Sequence, residues 1–363
     1  MEINYKINDG RVDLKSLNAD ELTSYIESLG EKKFRANQIY QWMHEKLVTD
    51  FDSMKNVPSK LLDTLKENAH LTALTPIRVQ TSKIDGTKKF LFKLYDGNVI
   101  ESVLMKYHHG NSVCISSQVG CKMGCRFCAS TLDGCVRNLL PSEMLDQVYR
   151  IQDSTGERVS NIVIMGSGEP MDNYDNVCKF LELINSPKGL NISLRNITVS
   201  TCGLVPRIKQ LADLKLQITL AISLHAPNDT LRKTMMPIAN KYSIEEIMDA
   251  CRYYLEQTGR RISFEYSLVK GVNDTKECAR ELIDLVTGLN CHINLIPVNP
   301  IKERDYEQSN KEAIMAFKNK LEKCGINVTI RREMGRDIDG ACGQLRKSYM
   351  EDSHESSSND WYW

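Results

Sequence analysis

An α/β fold with parallel strands and crossover helices is predicted by three observations. Between about residues 114 and 332, strand-like and helix-like segments alternate, the order that parallel sheets require. The 363-residue chain is 41% hydrophobic, yet no apolar run approaches the ~20 residues of a membrane span. Its length suits one large α/β domain with additions, or two domains. Ahead of the alternation the text changes period, first helical and then β-rich.

Residues 14–70 read as helices. "LNADELTSYIESLG" starts at an Asn18 or Asp20 cap and stops at Gly30. "KKFRANQIYQWMHEKL" is amphipathic and places Phe34, Ile39, Trp42 and Met43 on one core stripe. Pro58 opens "SKLLDTLKENA". This unit is too small to be the whole protein, and residues 1–75 are assigned to a helical accessory domain. Residues 76–112 are assigned to a β-hairpin extension, because Asp85-Gly86 and Asp96-Gly97 are turn signals between β-rich runs. The strand candidates that follow are "SVCISS", "NIVIMG", "NITVS", "QITLAISL", "ISFEYSLV", "INLIPV" and "NVTIRR". Amphipathic helices at 141–153, 174–185, 243–257, 275–287 and 309–324 separate most of them. Open doubly wound sheets and closed or partial barrels both fit this periodicity. Residues 113–346 form the main domain, and the polar tail at 347–363, with three consecutive serines, reads as disordered.

Lys and Arg together number 47, as do Asp and Glu, so the chain lacks the bulk charge of a nucleic-acid binder. Lys32, Lys33 and Arg35, the pair Lys88 and Lys89, and Arg331, Arg332 and Arg336 are local basic patches that read first as solvated faces. "MEINYKINDG" has no signal-peptide core, which makes a cytoplasmic location the expectation. Twelve cysteines in such a chain do not suggest a disulfide scaffold. Cys178, Cys251, Cys278, Cys291 and Cys324 read as small buried hydrophobes, while Cys135 and Cys202 are ambiguous. Cys114, Cys121, Cys125, Cys128 and Cys342 need a chemical account.

"GCKMGCRFCAS" spaces three thiols as C-x3-C-x2-C. Structural zinc takes four ligands, usually in C-x2-C pairs, and no second pair lies nearby. Cys135, seven residues on, is a possible fourth ligand. A 4Fe–4S cluster on three thiolates fits better, because its fourth iron stays open to an amine and a carboxylate. S-adenosylmethionine (SAM) offers that pair. Cys342 stands in "RDIDGACGQL", where Gly340 and Gly343 argue against a helix or strand interior and suggest a mobile loop with an exposed thiol.

With Phe127 before the last thiol, the spacing resembles the radical SAM superfamily. "VCISSQVGCKMGCRFCAS", "GSGEP", "ISLHAPND", "NLIPVNP" and "DIDGACGQL" occur in the order seen in RlmN-type RNA methyltransferases, and the likeness runs from about Leu22 to Leu345. The resemblance implies a partial (β/α)6 radical SAM barrel with an N-terminal helical accessory domain and a β-extension. It implies that Cys121, Cys125 and Cys128 hold the cluster and that Gly168, Glu169, Ser200, Ser223, Leu224, His225 and Asn299 bind SAM. The family commonly has Met at the position of Ser167.

The implied reaction methylates carbon 2 of an adenine, an electron-poor carbon closed to direct displacement. Cys342 takes a methyl from one SAM. A second SAM is cleaved reductively, and the resulting radical activates that methyl for addition to the base. Glu101, which read alone is an exposed strand residue, aligns with the proton acceptor, and Cys114 then resolves the adduct through a disulfide with Cys342. The implied substrates are adenine 2503 of 23S rRNA and adenine 37 of tRNA, gripped by the accessory domain and the extension. The implied electron donor is a flavodoxin or ferredoxin, and the chain is expected to be a monomer with no membrane association. Three alternatives are a Cfr-type enzyme acting on carbon 8, another radical SAM enzyme acting on a small molecule, and a non-catalytic, metal-stabilised RNA-binding protein.

Overall fold

The structure is a computed structural model and describes residues 5–299, 305–338, 344–346 and 349. Helix α1 (Ala19–Ser28) starts at Asn18, whose side chain accepts from the backbone of Asp20 and Glu21. The Glu21 carboxylate accepts from Asn18 N–H at 2.7 Å, completing a capping box. The chain leaves α1 through Gly30 at φ +82°. With α2 (Phe34–His44) and α3 (Ser59–Asn68) it encloses a core that includes Leu22, Ile26, Ile39, Met43, Leu61 and Leu65. Phe34 departs from the expected stripe and is 45% exposed. At about 100° per residue it lies roughly half a turn around the helix from Met43.

One sheet organises the rest. Its strands are β1 (Thr75–Thr81), β2 (Lys88–Lys93), β3 (Val99–Tyr107), β4 (Gly110–Cys114), β5 (Val159–Ile164), β6 (Ile197–Thr201), β7 (Thr219–Ser223), β8 (Ile262–Leu268), β9 (Cys291–Pro297) and β10 (Val328–Ile330). They lie side by side in chain order from β1 to β10. The first four are antiparallel, and β4 through β10 are parallel. All seven strand candidates are therefore the parallel strands. The β-extension is the same sheet continued past β4, which pairs antiparallel with β3 and parallel with β5.

The parallel strands are joined by six crossovers: α4 (Pro141–Thr155), α5 (Tyr174–Ile184), α6 (Val205–Asp213), the pair α7 (Asp229–Met235) and α8 (Ile244–Thr258), α9 (Lys276–Val286) and α10 (Lys311–Lys323). This open arrangement of six βα units and a last strand is the partial barrel. Ile162, Val199, Leu220, Phe264 and Leu295 are fully buried in its strands. No helix among the described residues is long and apolar enough to cross a membrane.

A buried polar seam joins the helical unit to α4. Lys15 Nζ meets Asp146 Oδ1 at 2.7 Å and donates to Thr72 O, while Leu74 N–H donates to Asp146 Oδ2 at 2.7 Å. Asp13 accepts from the hydroxyls of Ser16, Ser142 and Thr72. Burial pushes Asp13 up and Lys15 down from their ordinary pKa values. Nearby, His44 Nδ1 meets Tyr149 OH at 2.8 Å.

Candidate active site

The C-terminal ends of the parallel strands are where a partial barrel assembles a site. Here they surround a cavity of about 500 Å³. Cys121, Cys125 and Cys128 all line it. Their loop leaves a short hairpin in which Gln118–Gly120 pairs with Cys135–Asn138. At the exit, Cys121 N–H donates to Gly134 O at 2.7 Å. Inside the loop, the Thr131 hydroxyl donates to the carbonyls of Cys125 and Cys128. The far side is braced by α7 and the turn after it, where Arg126 N–H donates to Met235 O at 2.9 Å and Pro237 packs on Gly124.

Burial pushes the Cys121 thiol up to about 12, and Cys125 is raised as well, again mainly by burial. Binding metal there means releasing protons from groups that otherwise keep them. Among the described residues no three His, Cys, Asp or Glu side chains converge as the ligands of a single ion do. A cluster of several irons asks only that its thiols share a wall, as these three do. Cys135, weighed above as a fourth ligand, does not line the cavity.

The turn after β5 packs against this hairpin and also lines the cavity. Gly168 has φ +105°, and a Cβ there would lie 2.7 Å from Gln118 N, so this approach of chain to chain requires glycine. Ser167 is buried and its hydroxyl has no hydrogen-bond partner. Glu169 is buried too. One carboxylate oxygen accepts from Met171 N–H at 3.0 Å and the other from Cys202 N–H at 2.8 Å. Burial raises its pKa against these donors.

The next strand ends complete the lining. Ser200 and Ser223 face the cavity with their hydroxyls 3.4 Å apart. His225 has φ +57°, its ring packs edge-on against Phe127 at 4.5 Å, and its Nδ1 accepts from Ser267 N–H at 2.9 Å. Burial, then the nearby Arg232, holds His225 down to about 3, so the ring is neutral and its Nε2 carries the proton. Asn299 also lines the cavity, whereas Leu224 is fully buried behind it and does not.

Cys114, at the end of β4, lines the same cavity. Glu101 does not. It was read alone as an exposed strand residue, but it is 5% exposed and lies on the face of β3 that also carries the cavity-lining Val103 and Met105. Its carboxylate accepts from Arg346 N–H at 2.5 Å and pairs with Lys89 at 3.1 Å. Lys89 is fully buried, so it is no part of a surface patch.

Cys342 and Asp339 lie outside the described residues, as does nearly all of the tail. Ile338 and Gln344, on either side of Cys342 in sequence, both line the cavity. The chain before Ile338 is tied to the extension, with Asp337 accepting from the Ser82 hydroxyl at 2.6 Å and Lys83 N–H at 2.7 Å. Gly335 N–H donates to Asp85 at 2.9 Å. Arg331, Arg332 and Arg336 also line the cavity. Sequence reasoning missed two residues here, Cys202 and Arg232. No sequence signal pointed to Arg232, because α7 has the text DTLRKTM and reads as charged and exposed.

The comparisons with known proteins agree with this architecture. The model of the radical SAM superfamily matches residues 115–286, and that of the ribosomal RNA large subunit methyltransferase N-terminal domain matches 12–71. A probable dual-specificity RNA methyltransferase RlmN of Lachnospira eligens is 76% identical over 95% of this chain and 98% of its own length. The protein of the same description from Lachnoclostridium phytofermentans is 62% identical, over 94% and 96%. A solved radical SAM methyltransferase from Sphaerobacter thermophilus superimposes with TM-score 0.88 at 43% identity, covering 92% of this chain and 98% of that one.

Proposed function

The chain belongs to the RlmN family of radical SAM RNA methyltransferases, and from that premise we propose that it converts adenosine to 2-methyladenosine in 23S rRNA, at adenine 2503, and in tRNA, at adenine 37. One observation carries the reading. The three thiols of the radical SAM motif, Cys114 and both sequence neighbours of the Cys342 segment line a single cavity.

Cys121, Cys125 and Cys128 hold the 4Fe–4S cluster. When bound, the cluster and SAM supply the one-electron chemistry that makes a methyl group reactive toward an electron-poor carbon. Glu169, its oxygens already aimed by Met171 and Cys202, accepts from the SAM ammonium. The hydroxyls of Ser200 and Ser223, the Asn299 amide, the Nε2–H of His225 and the backbone at Gly168 orient the rest, and Leu224, its N–H given to Glu265 O and its carbonyl to Arg232, supports this lining from behind.

Two SAM molecules serve each turnover. Cys342, as a thiolate, accepts the methyl of the first by displacement. The methyl so carried gives up one hydrogen atom to that one-electron chemistry, and its carbon is joined to adenine carbon 2 while still bonded to Cys342 Sγ. Glu101 takes the proton from adenine carbon 2 as the adduct gives up its odd electron, and its partners Lys89 and Arg346 N–H hold the carboxylate. Cys114 thiolate then attacks Cys342 Sγ, breaking the sulfur–carbon bond, and the released methylene carbon takes up a proton to become the methyl group. The methylated base leaves, and a disulfide remains that an external thiol must reduce.

RNA contacts fall to two basic groups, Lys32, Lys33 and Arg35 on the helical unit and Arg331, Arg332 and Arg336 at the cavity. The target base must leave its stack to reach the cavity. The enzyme acts as a cytoplasmic monomer with a flavodoxin or ferredoxin as electron donor. The test is anaerobic reconstitution with SAM, a reductant and unmodified 23S rRNA fragment or tRNA, read by mass spectrometry of digested nucleosides. 2-Methyladenosine in both RNAs is expected. 8-Methyladenosine, or deoxyadenosine release with no methylated base, would overturn the reading.

A further inference from the structure

Arg232, on α7, is among the largest fully buried side chains of the protein. A guanidinium does not give up its proton in a protein, so a full positive charge is buried here. Its Nε donates to Leu224 O at 3.1 Å, and one terminal nitrogen donates to Cys202 O at 2.6 Å and Ser223 O at 3.2 Å. The other terminal nitrogen is buried without a partner. Among the described residues no carboxylate lies at ion-pair distance from it. Asp229, one turn upstream, is instead taken up by Ile244 N–H. A buried charge with no counter-charge is strongly destabilising.

Burial holds the Arg232 pKa below its ordinary value, and the nearby thiols of Cys202 and Cys125, then Asp229, oppose that shift. Cys125 is one of the three cluster thiols. Cys125, Cys202, Met235 and Met236 share one apolar cluster, in which charges act with little screening. The segment carrying Arg232 also braces the thiol loop, through Met235 O on Arg126 N–H and Pro237 on Gly124.

We propose that Arg232 is the buried counter-cation of the iron–sulfur site, and that its charge favours the reduced cluster over the oxidised one. The inference rests on the cluster reading given above. On three thiolates the cluster core carries net negative charge, and the electron delivered by the donor adds one more. A fixed cation therefore gains more from the reduced form, which raises the reduction potential. The orphaned nitrogen and the missing carboxylate have the same explanation, since the anion that belongs there arrives with the iron.

The experiment compares wild type, Arg232→Gln, Arg232→Met and Arg232→Lys, each reconstituted without oxygen. The readouts are bound iron and sulfide and the midpoint potential, titrated with dithionite and followed by electron paramagnetic resonance. Circular dichroism before reconstitution reports folding, and whichever neutral variant folds is the one read. Arg232→Lys keeps the charge with fewer braces and should hold near the wild-type potential. The neutral variant should reduce at least tenfold less readily at a fixed potential, a shift of about 59 mV for one electron, and retain less iron. A folded neutral variant with wild-type potential and iron content would overturn the proposal. So would a Lys variant that shifts as far as the neutral one, because bracing would then be the cause. A wild-type chain that takes up no iron and sulfide would refute the cluster reading itself, and the inference with it.

Discussion

Gly120 and Gly134 face each other across the hairpin that launches the thiol loop, and replacing each by alanine separates backbone strain from collision. Gly120 has φ +77° and Gly134 φ +70°, so both substitutions carry the same left-handed strain, about 1–2 kcal/mol. They differ in space. A Cβ at Gly134 meets nothing within 4 Å, whereas one at Gly120 would lie 2.1 Å from Gly134 O and 3.4 Å from Cys135 Cα. Both obstacles are backbone, so the hairpin strand itself must move. Overpacking of this kind costs about 1–3 kcal/mol. The displaced carbonyl is the acceptor for Cys121 N–H, a bond whose loss costs about 0.5–1.5 kcal/mol. Gly134→Ala should thus cost about 1–2 kcal/mol, and Gly120→Ala about 3–6 kcal/mol. Urea unfolding with an unchanged slope measures the difference. Iron bound after reconstitution shows whether the thiols still share their wall, with Gly134→Ala near wild type and Gly120→Ala depleted. Equal losses in the two variants, or full iron binding by Gly120→Ala, would refute the reasoning.

Three further outcomes follow from the packing. Lys15→Met leaves the buried Asp146 carboxylate with Arg150 Nε at 3.6 Å as its counter-charge and should cost about 3 kcal/mol, the low end for a broken buried pair, read as a lower urea midpoint. Burial, with Lys15 nearby, holds His44 down to about 3, below the ~6.5 of an unfolded histidine. The unfolded chain therefore binds the extra proton, so this stability is complete above about pH 6.5 and is lost as pH falls toward 3, by up to ~5 kcal/mol. His44→Leu should flatten that part of the stability profile. Asp337→Ala removes both acceptors that tie the chain before Ile338 to Ser82 and Lys83. It should lower methylated product severalfold at a cost of about 1–2 kcal/mol in stability, measured by nucleoside analysis and urea unfolding.

The alternation of β and α text made the parallel sheet legible, because burial on both faces leaves continuous apolar strands and crossovers leave amphipathic helices. The turns at Gly86 and Gly97 were legible for a local reason, their left-handed backbone. Helix α6 escaped notice because it is short and opens on Val205-Pro206. What failed was long-range pairing. Lys89 looked like half of a basic patch and Glu101 like an exposed strand residue. Each is buried because the other sits diagonally across the strand pair, a fact that appears only with the register of β2 on β3. Arg232 was illegible for the same reason, since "TLRKTM" reads as a charged helix end until three carbonyls from two other strand ends close around it. The thiol motif was legible because its ligands lie within one short loop. Cys202 was not, because its contact with Glu169 joins two strand ends far apart in sequence.

The central claim is that Cys342 carries the transferred carbon and Cys114 releases it, and the measurement that meets it most directly uses Cys114→Ala. The variant is reconstituted and incubated with SAM, reductant and 23S rRNA fragment, then digested and analysed by mass spectrometry. The account predicts a covalent protein–RNA species with one bridging carbon between Cys342 Sγ and adenine carbon 2, and little free methylated RNA. Free 2-methyladenosine at the wild-type rate, or an adduct on any other residue, would contradict it.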